Sequence, residues 1–294
     1  MSQSVGVAAA LLGSALGGSA VAATRFSLGA MDPLSVVTLR YAIGALCLVP
    51  FCLPALRRLR SRADALAVVG LGVWFFALYP ILFTVALVHT TAARGALALS
   101  SMPLLTLALA ITLGREVFSW RKLAGILVAV GGLAYALAPK LKGAPPGAWK
   151  GDLIMLAAAA MQAIYNVVSG RFIQRLGALA FTALALWVGA LALLLLCIAW
   201  NGFDFLSGVE TTTWAAILYL GVFGCGLLWI LWSVGLGRAS ASAVALTVTV
   251  NPLTASLLGA LFLSEPIGPE LLAGLLAVAL GIALATRAPR RAVP

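Results

Sequence analysis

The stretch Leu87–Glu116 reads LVHTTAARGALALSSMPLLTLALAITLGRE, and Leu236–Glu265 reads LGRASASAVALTVTVNPLTASLLGALFLSE. Each has a polar turn, a run of small residues, a proline in mid-helix and a glutamate closing the apolar run. Pro103 and Pro252 stand 149 residues apart, and so do Glu116 and Glu265. Gly125 and Gly274 keep the same offset, as do Gly132 and Gly281. One register held over four positions and two helices identifies an internal duplication. A repeat of this kind governs how the rest of a chain is read.

The chain around these copies has 294 residues, of which 63% are hydrophobic and 9% charged. Its mean hydropathy is +1.11. A soluble domain carries about 25% charged residues. With so little charge the surface cannot be covered in water, so most of it faces lipid. The apolar runs are close to the ~20 residues a helix needs to cross ~30 Å of hydrocarbon. Small residues suit helices that approach closely in lipid. The expectation is an all-α integral membrane protein with ten transmembrane helices.

The spans fall at about Val5–Ala23, Pro33–Leu53, Ala65–Leu87, Ala92–Leu113 and Leu123–Leu137. After a linker rich in Pro, Gly and Lys come Leu153–Phe172, Ala178–Trp200, Trp214–Leu236, Ser240–Leu263 and Glu270–Thr286. Val5–Ala23 lacks a basic leader and reads as the first span rather than a cleaved signal. The divisions are a first five-helix repeat over 1–138, a linker over 139–149 and a second five-helix repeat over 150–294.

Net charge is +11, which invites a nucleic-acid partner. The basic residues are scattered over loops, however, and mark orientation instead. With an inside N-terminus, thirteen face the cytoplasm, among them Arg57, Arg58, Arg115, Arg121, Lys122 and Arg171. Five face outward, and three of those, Lys140, Lys142 and Lys150, crowd the central linker. Both termini are therefore expected in the cytoplasm. Each half has an odd number of spans, so the second enters the membrane upside down. Two inverted repeats permit alternating access, with a substrate site near the midplane between them.

These motifs resemble the drug/metabolite transporter superfamily, in particular its ten-span EamA-type exporters. The residues that carry the likeness are Ala92–Pro103 with Glu116, their counterparts Ala241–Pro252 with Glu265, Arg40 in the second span, and the glycine-rich fifth and tenth spans. The likeness covers nearly the whole chain and fixes fold more tightly than substrate. Within the superfamily the chain looks most like bacterial exporters of amino acids, aromatic ones included. That resemblance implies an inner-membrane location and export of amino acids or similar small metabolites.

A passage for a polar solute needs polar side chains facing a cavity, because an unsatisfied polar group is costly in lipid. Ser100 and Ser101 precede Pro103, and Thr249 and Asn251 precede Pro252. The two prolines and the two glutamates are candidate hinges and gates. Serine and threonine also bond their own helix backbone, and that alternative stays open. Gln162, Tyr165, Asn166 and Ser169 share one helical face, and a polar stripe on a lipid helix should point inward. Tyr79, Phe83, Trp229 and Trp232 lie mid-span and suit a wall for an apolar side chain; packing is the alternative. Phe83 and Trp232 are repeat equivalents.

The acidic residues sit at span ends or in loops, and the one histidine, His89, ends the third span. Its readings are a polar end residue or a proton sensor. Arg40 lies about two turns into its helix, placed either to snorkel or to bind a carboxylate. A proton-coupled carrier needs an embedded carboxylate or His, so a facilitator without proton coupling is expected. Efflux of lipophilic cations and proton antiport are the alternatives. Catalysis would need a clustered nucleophile, base or metal set, so an enzyme is not expected. Cys47, Cys52, Cys197 and Cys225 lie in apolar runs without metal spacing. No cofactor, metal or nucleic acid is expected; the partners are a small-molecule substrate and the bilayer. One chain holding both halves is compatible with a monomer.

Overall fold

Asp32 and the proline after it show how the helices begin. The Asp32 carboxylate accepts hydrogen bonds from the main-chain N–H of Leu34 at 3.0 Å and Ser35 at 3.1 Å. Pro33 lacks the N–H that a first helical turn leaves unused. Ser61 and Thr91 cap two further helices in the same way. In the computed structural model, residues 3–59, 61–141, 146–201, 210–263 and 269–286 are described.

The helices are α1 (Gln3–Leu28), α2 (Pro33–Cys47), α3 (Val49–Leu56), α4 (Arg62–His89), α5 (Ala92–Thr112), α6 (Trp120–Leu137), α7 (Ala148–Leu176), α8 (Ala178–Asn201) and α9 (Thr211–Arg238). Then α10 runs through Ala241–Leu246, a tight turn Thr247–Thr249 and Val250–Leu263, and α11 is Pro269–Thr286. Among the described residues there is no strand, and nine helices are long and apolar enough to cross a membrane. The pair α2 and α3 makes the tenth span. It covers the second span expected at Pro33–Leu53 and bends by 66° at Leu48. Pro50 follows within the first turn of α3 and has no main-chain N–H to carry the hydrogen-bond ladder on from α2. Most helices also run past the apolar windows, because polar caps add turns that hydropathy does not register.

The ten spans are arranged about an internal two-fold. Equivalent helices meet across it: α2 packs on α8, α5 on α10 and α6 on α11. The first helix of each half crosses over instead. Thus α1 packs on α9 and α10 of the second half, and α7 on α4 and α5 of the first. The α6–α11 pair shows the symmetry residue by residue. A Cβ added at Gly125 would lie 2.6 Å from the Gly281 carbonyl oxygen, and one at Gly274 would lie 2.9 Å from that of Gly132. Gly125 therefore meets the partner of Gly132, and Gly132 the partner of Gly125. That exchange is the mark of a two-fold, and it requires the two helices to run antiparallel. The four glycines that mark the duplication lie at one of the contacts between its halves.

Side-chain bonds add to close packing. Ser14 Oγ and Thr247 Oγ1 share a hydrogen bond at 2.8 Å between α1 and α10, and Thr182 donates to Ser233 at 2.6 Å between α8 and α9. Each such bond contributes about 0.6 kcal/mol in a membrane. The core is aromatic at its centre. Phe75 and Tyr165 stack with centroids 3.8 Å apart, and Tyr79 and Trp229 close around Phe75 at 4.7 and 4.8 Å.

Candidate functional site

Four irregular turns converge at the middle of the bundle. Trp74–Leu78 in α4 and Val222–Leu227 in α9 are π-helical, and they are repeat equivalents to within a residue. Such turns are frequent at functional sites. In α4 the cause is Pro80, which lacks the N–H that would continue the ladder. In α9 it is Gly221, Gly224 and Gly226, which resist a wider turn least. The other two irregularities precede the repeated prolines, at Ser100–Ser101 in α5 and Thr247–Thr249 in α10.

Widening a turn releases a carbonyl from its helix. The Gly224 carbonyl is met by Nη2 of Arg40, reaching across from α2. Arg40 is 9% exposed and does not snorkel to an interface. It lines a central cavity of about 60 Å³ with Tyr79, Gln162, Trp229, Trp232 and Asn251. Phe83 and Pro80 complete the aromatic side, and Gly13, Ser14 and Gly17 of α1 the opposite one. Gly17 makes room for Asn251, since a Cβ there would lie 2.8 Å from Asn251 Nδ2.

Four buried polar atoms of the cavity lining have no hydrogen-bond partner: Arg40 Nε, Trp229 Nε1, Gln162 Oε1 and Asn251 Oδ1. Two are donors, one of them cationic, and two are amide acceptors. Leaving such groups unpaired costs about 1–3 kcal/mol each, a cost that a ligand with an anionic end and a donor end would relieve. Among the described residues no Asp, Glu or His lines it. At 60 Å³ the space holds roughly two waters, so a larger solute requires the aromatic walls to part.

A second, wider hollow of about 760 Å³ opens toward the face that carries residues 115–122 and 238–241. Asn166 forms its floor. The Trp232 indole N–H donates to Asn166 Oδ1 at 3.0 Å, and Asn166 Nδ2 donates to Met102 Sδ at 3.6 Å. Trp232 lines the inner cavity and Asn166 the outer hollow, so this pair is the partition between them.

The remaining expected residues are placed as follows. Tyr165 lies in the aromatic stack and Asn166 in the partition, so neither lines the central cavity. Ser100 donates to Leu97 O at 2.5 Å, Ser101 to Ala98 O at 2.8 Å and Thr249 to Leu246 O at 2.8 Å, so all three hydroxyls serve their own helices. Pro103 and Pro252 follow the irregular turns. Glu116 accepts from the Ser242 main-chain N–H at 2.9 Å and from Lys122 at 2.6 Å, clasping the end of the first-half stretch to the start of α10. Glu265 lies outside the described residues. His89 is exposed at the end of α4. A clasp that sequence reasoning passed over stands on the opposite face, where Arg94 pairs with Asp152 and Thr90 donates to Asp152 at 2.7 Å. Its only signal was an acid and a base at the starts of α7 and α5. Among the described residues no His, Cys, Asp and Glu cluster suits a metal.

Comparison with known proteins follows the same division. The model of the EamA-like transporter family matches residues 4–138 and 149–287. An uncharacterized protein of Pseudomonas aeruginosa is 33% identical over 87% of this chain and 84% of its own. An uncharacterized transporter of Clostridium kluyveri is 24% identical over 86% and 83%. A probable terminal-alkyne amino-acid exporter of Streptantibioticus cattleyicolor is 28% identical over 76% and 73%. A crystal structure superposes with a TM-score of 0.77 at 23% identity, covering 95% of this chain and 96% of the other, a likeness of fold.

Proposed function

The chain belongs to the EamA-like transporter family, and on that premise we propose that it exports neutral and aromatic amino acids across the inner membrane. The observation that carries the proposal is Arg40. A buried guanidinium with an unpaired donor faces a cavity that no described carboxylate shares. A substrate carboxylate supplies the missing acceptor as a charge-assisted bond. The substrate ammonium then meets Gln162 Oε1 and Asn251 Oδ1, which need donors. Tyr79, Phe83, Trp229 and Trp232 receive an apolar or aromatic side chain. The amino-acid exporter named among the relatives supports the same class.

The halves alternate in closing the site. The Glu116 clasp holds one face and the Arg94–Asp152 clasp the other, while the irregular turns before Pro103 and Pro252 act as hinges. By the distribution of Arg and Lys, the wide hollow and both termini face the cytoplasm. With no titratable acid or His among the described lining residues, transport follows the substrate gradient without proton coupling. Efflux of lipophilic cations is disfavoured, because the charged residue in the lining is itself a cation. The internal two-fold completes the site within one chain, so a monomer suffices, and no catalytic step is involved.

Uptake of labelled phenylalanine, tryptophan and smaller neutral amino acids into proteoliposomes tests this. Saturable transport, unchanged by an imposed pH gradient, is expected. A flat response to every amino acid defeats the substrate class, and strong stimulation by the gradient defeats the facilitator.

A further inference from the structure

We infer that the wide hollow is itself a binding site, an antechamber that holds small organic carboxylates before they pass the Trp232–Asn166 partition. The inference rests on the proposed function for its direction of travel. Arg115, Arg121, Lys122 and Arg171 line the hollow, and its one described acid is Glu116. That carboxylate is occupied by Lys122 and by Ser242. Three guanidinium groups are left for a ligand, two from the α5–α6 connection and α6, and one from α7.

Orientation in a membrane explains why arginines favour one face; it does not explain their convergence on one cavity of about 760 Å³. Arg171 is also held in place, its Cζ 4.6 Å from the centroid of the Phe172 ring. Guanidinium presents a planar fork that matches a carboxylate. A cleft lined by one sign of charge concentrates counter-ions and speeds their arrival by about 10–10³. The floor is Asn166, one hydrogen bond from the central cavity. A carboxylate docked here stands at the entrance that Arg40 serves from within. The antechamber thus selects for the carboxylate end of a substrate, and an amine lacking that end gains nothing from it.

The test places a cysteine in the wall. Ser119→Cys is suitable because Ser119 makes no side-chain capping bond, and Gln174→Cys probes the opposite wall. Both are made with Cys47→Ala and Cys52→Ala and reconstituted in phosphatidylcholine vesicles. Modification by an anionic thiosulfonate is expected to outpace a cationic one by roughly tenfold, relative to a free thiol. High salt, or Arg121→Gln with Arg171→Gln, should remove the preference. Phenylpropionate should protect the cysteine at lower concentration than phenylalanine, and phenethylamine should not protect.

Equal reaction with both reagents at both positions overturns the antechamber, and so does equal protection by phenethylamine. Protection by phosphatidylglycerol in the vesicles, but not by phenylpropionate, also overturns it, since a lipid headgroup then fills the hollow. Protection by phenylpropionate in a chain that moves no amino acid upholds the antechamber and removes the proposed substrate instead.

Discussion

At the π-turn of the first half, Phe76 presses against Gly189 of α8; at the matching turn of the second half, Gly224 and Cys225 receive Arg40 and Gly44 of α2. Gly189 is the repeat equivalent of Arg40, and Cys225 that of Phe76. Each side of the two-fold thus sets one large residue against one small one, but the large residue comes from opposite helices. Volume is preserved across the axis and chemistry is not. Apolar packing fills one side, while the other receives a guanidinium whose remaining donor faces the cavity. Duplication supplies the frame, and one broken equivalence supplies the guanidinium on which the proposed recognition rests.

The comparison breaks most visibly if Arg40 is made neutral. Arg40→Gln is expected to lower kcat/KM for amino-acid uptake about a hundredfold, as loss of a buried charge-assisted contact implies. Folding, read by thermal unfolding in detergent, should change far less. Wild-type uptake by this variant would remove Arg40 from recognition. Next in size is the packing side. Gly189→Ala places a Cβ against Phe76 backbone and should destabilise by about 1–3 kcal/mol. Gly224→Ala meets side-chain atoms alone, Ala20 Cβ at 3.0 Å, Leu220 Cδ2 at 3.4 Å and Arg40 Nη2 at 3.7 Å, so its melting temperature should fall less. Reversed ranking of the two would contradict the volume argument.

Trp232→Phe sharpens the contrast between cavity and vestibule. It leaves Asn166 Oδ1 without its donor and should cost about 1–2 kcal/mol of stability, with a faster reaction of a cysteine placed in the central cavity toward polar reagents. The smallest effects belong to Ser100→Ala and Ser101→Ala. Their hydroxyls serve their own helix, so uptake should change by less than about threefold. A tenfold loss in either would place that serine on the substrate.

The frame was legible because the residues that build it are chemically singular. Glycines at 125, 132, 274 and 281 are needed wherever two helices touch at the backbone, and prolines at 103 and 252 wherever a helix must break. The site was legible in kind but not in depth. Gln162, Tyr165, Asn166 and Ser169 share one face, yet that face rises roughly 10 Å along the helix. Gln162 therefore reaches the cavity, Tyr165 enters the aromatic stack, and Asn166 meets Trp232 below it. Periodicity gives direction around a helix, not position along it. The π-turn in α9 left no local signature beyond its glycines, because it depends on a slipped main-chain ladder. Arg40 left two readings open until Gly224 was seen opposite it.

The crossed first helices impose an order on biosynthesis. α1 is synthesised well before α9, but its Gly13 packs on Leu228 and Leu231, more than 200 residues later in the chain. At roughly 5–20 residues per second, it waits roughly 10–40 s in the bilayer for its partner. During that interval a small-residue face and Ser14 have no native neighbour. Its own backbone ladder is complete, so lipid tolerates the delay. A chain cut short before α9 would be inserted and helical, yet open to the wrong partner along α1.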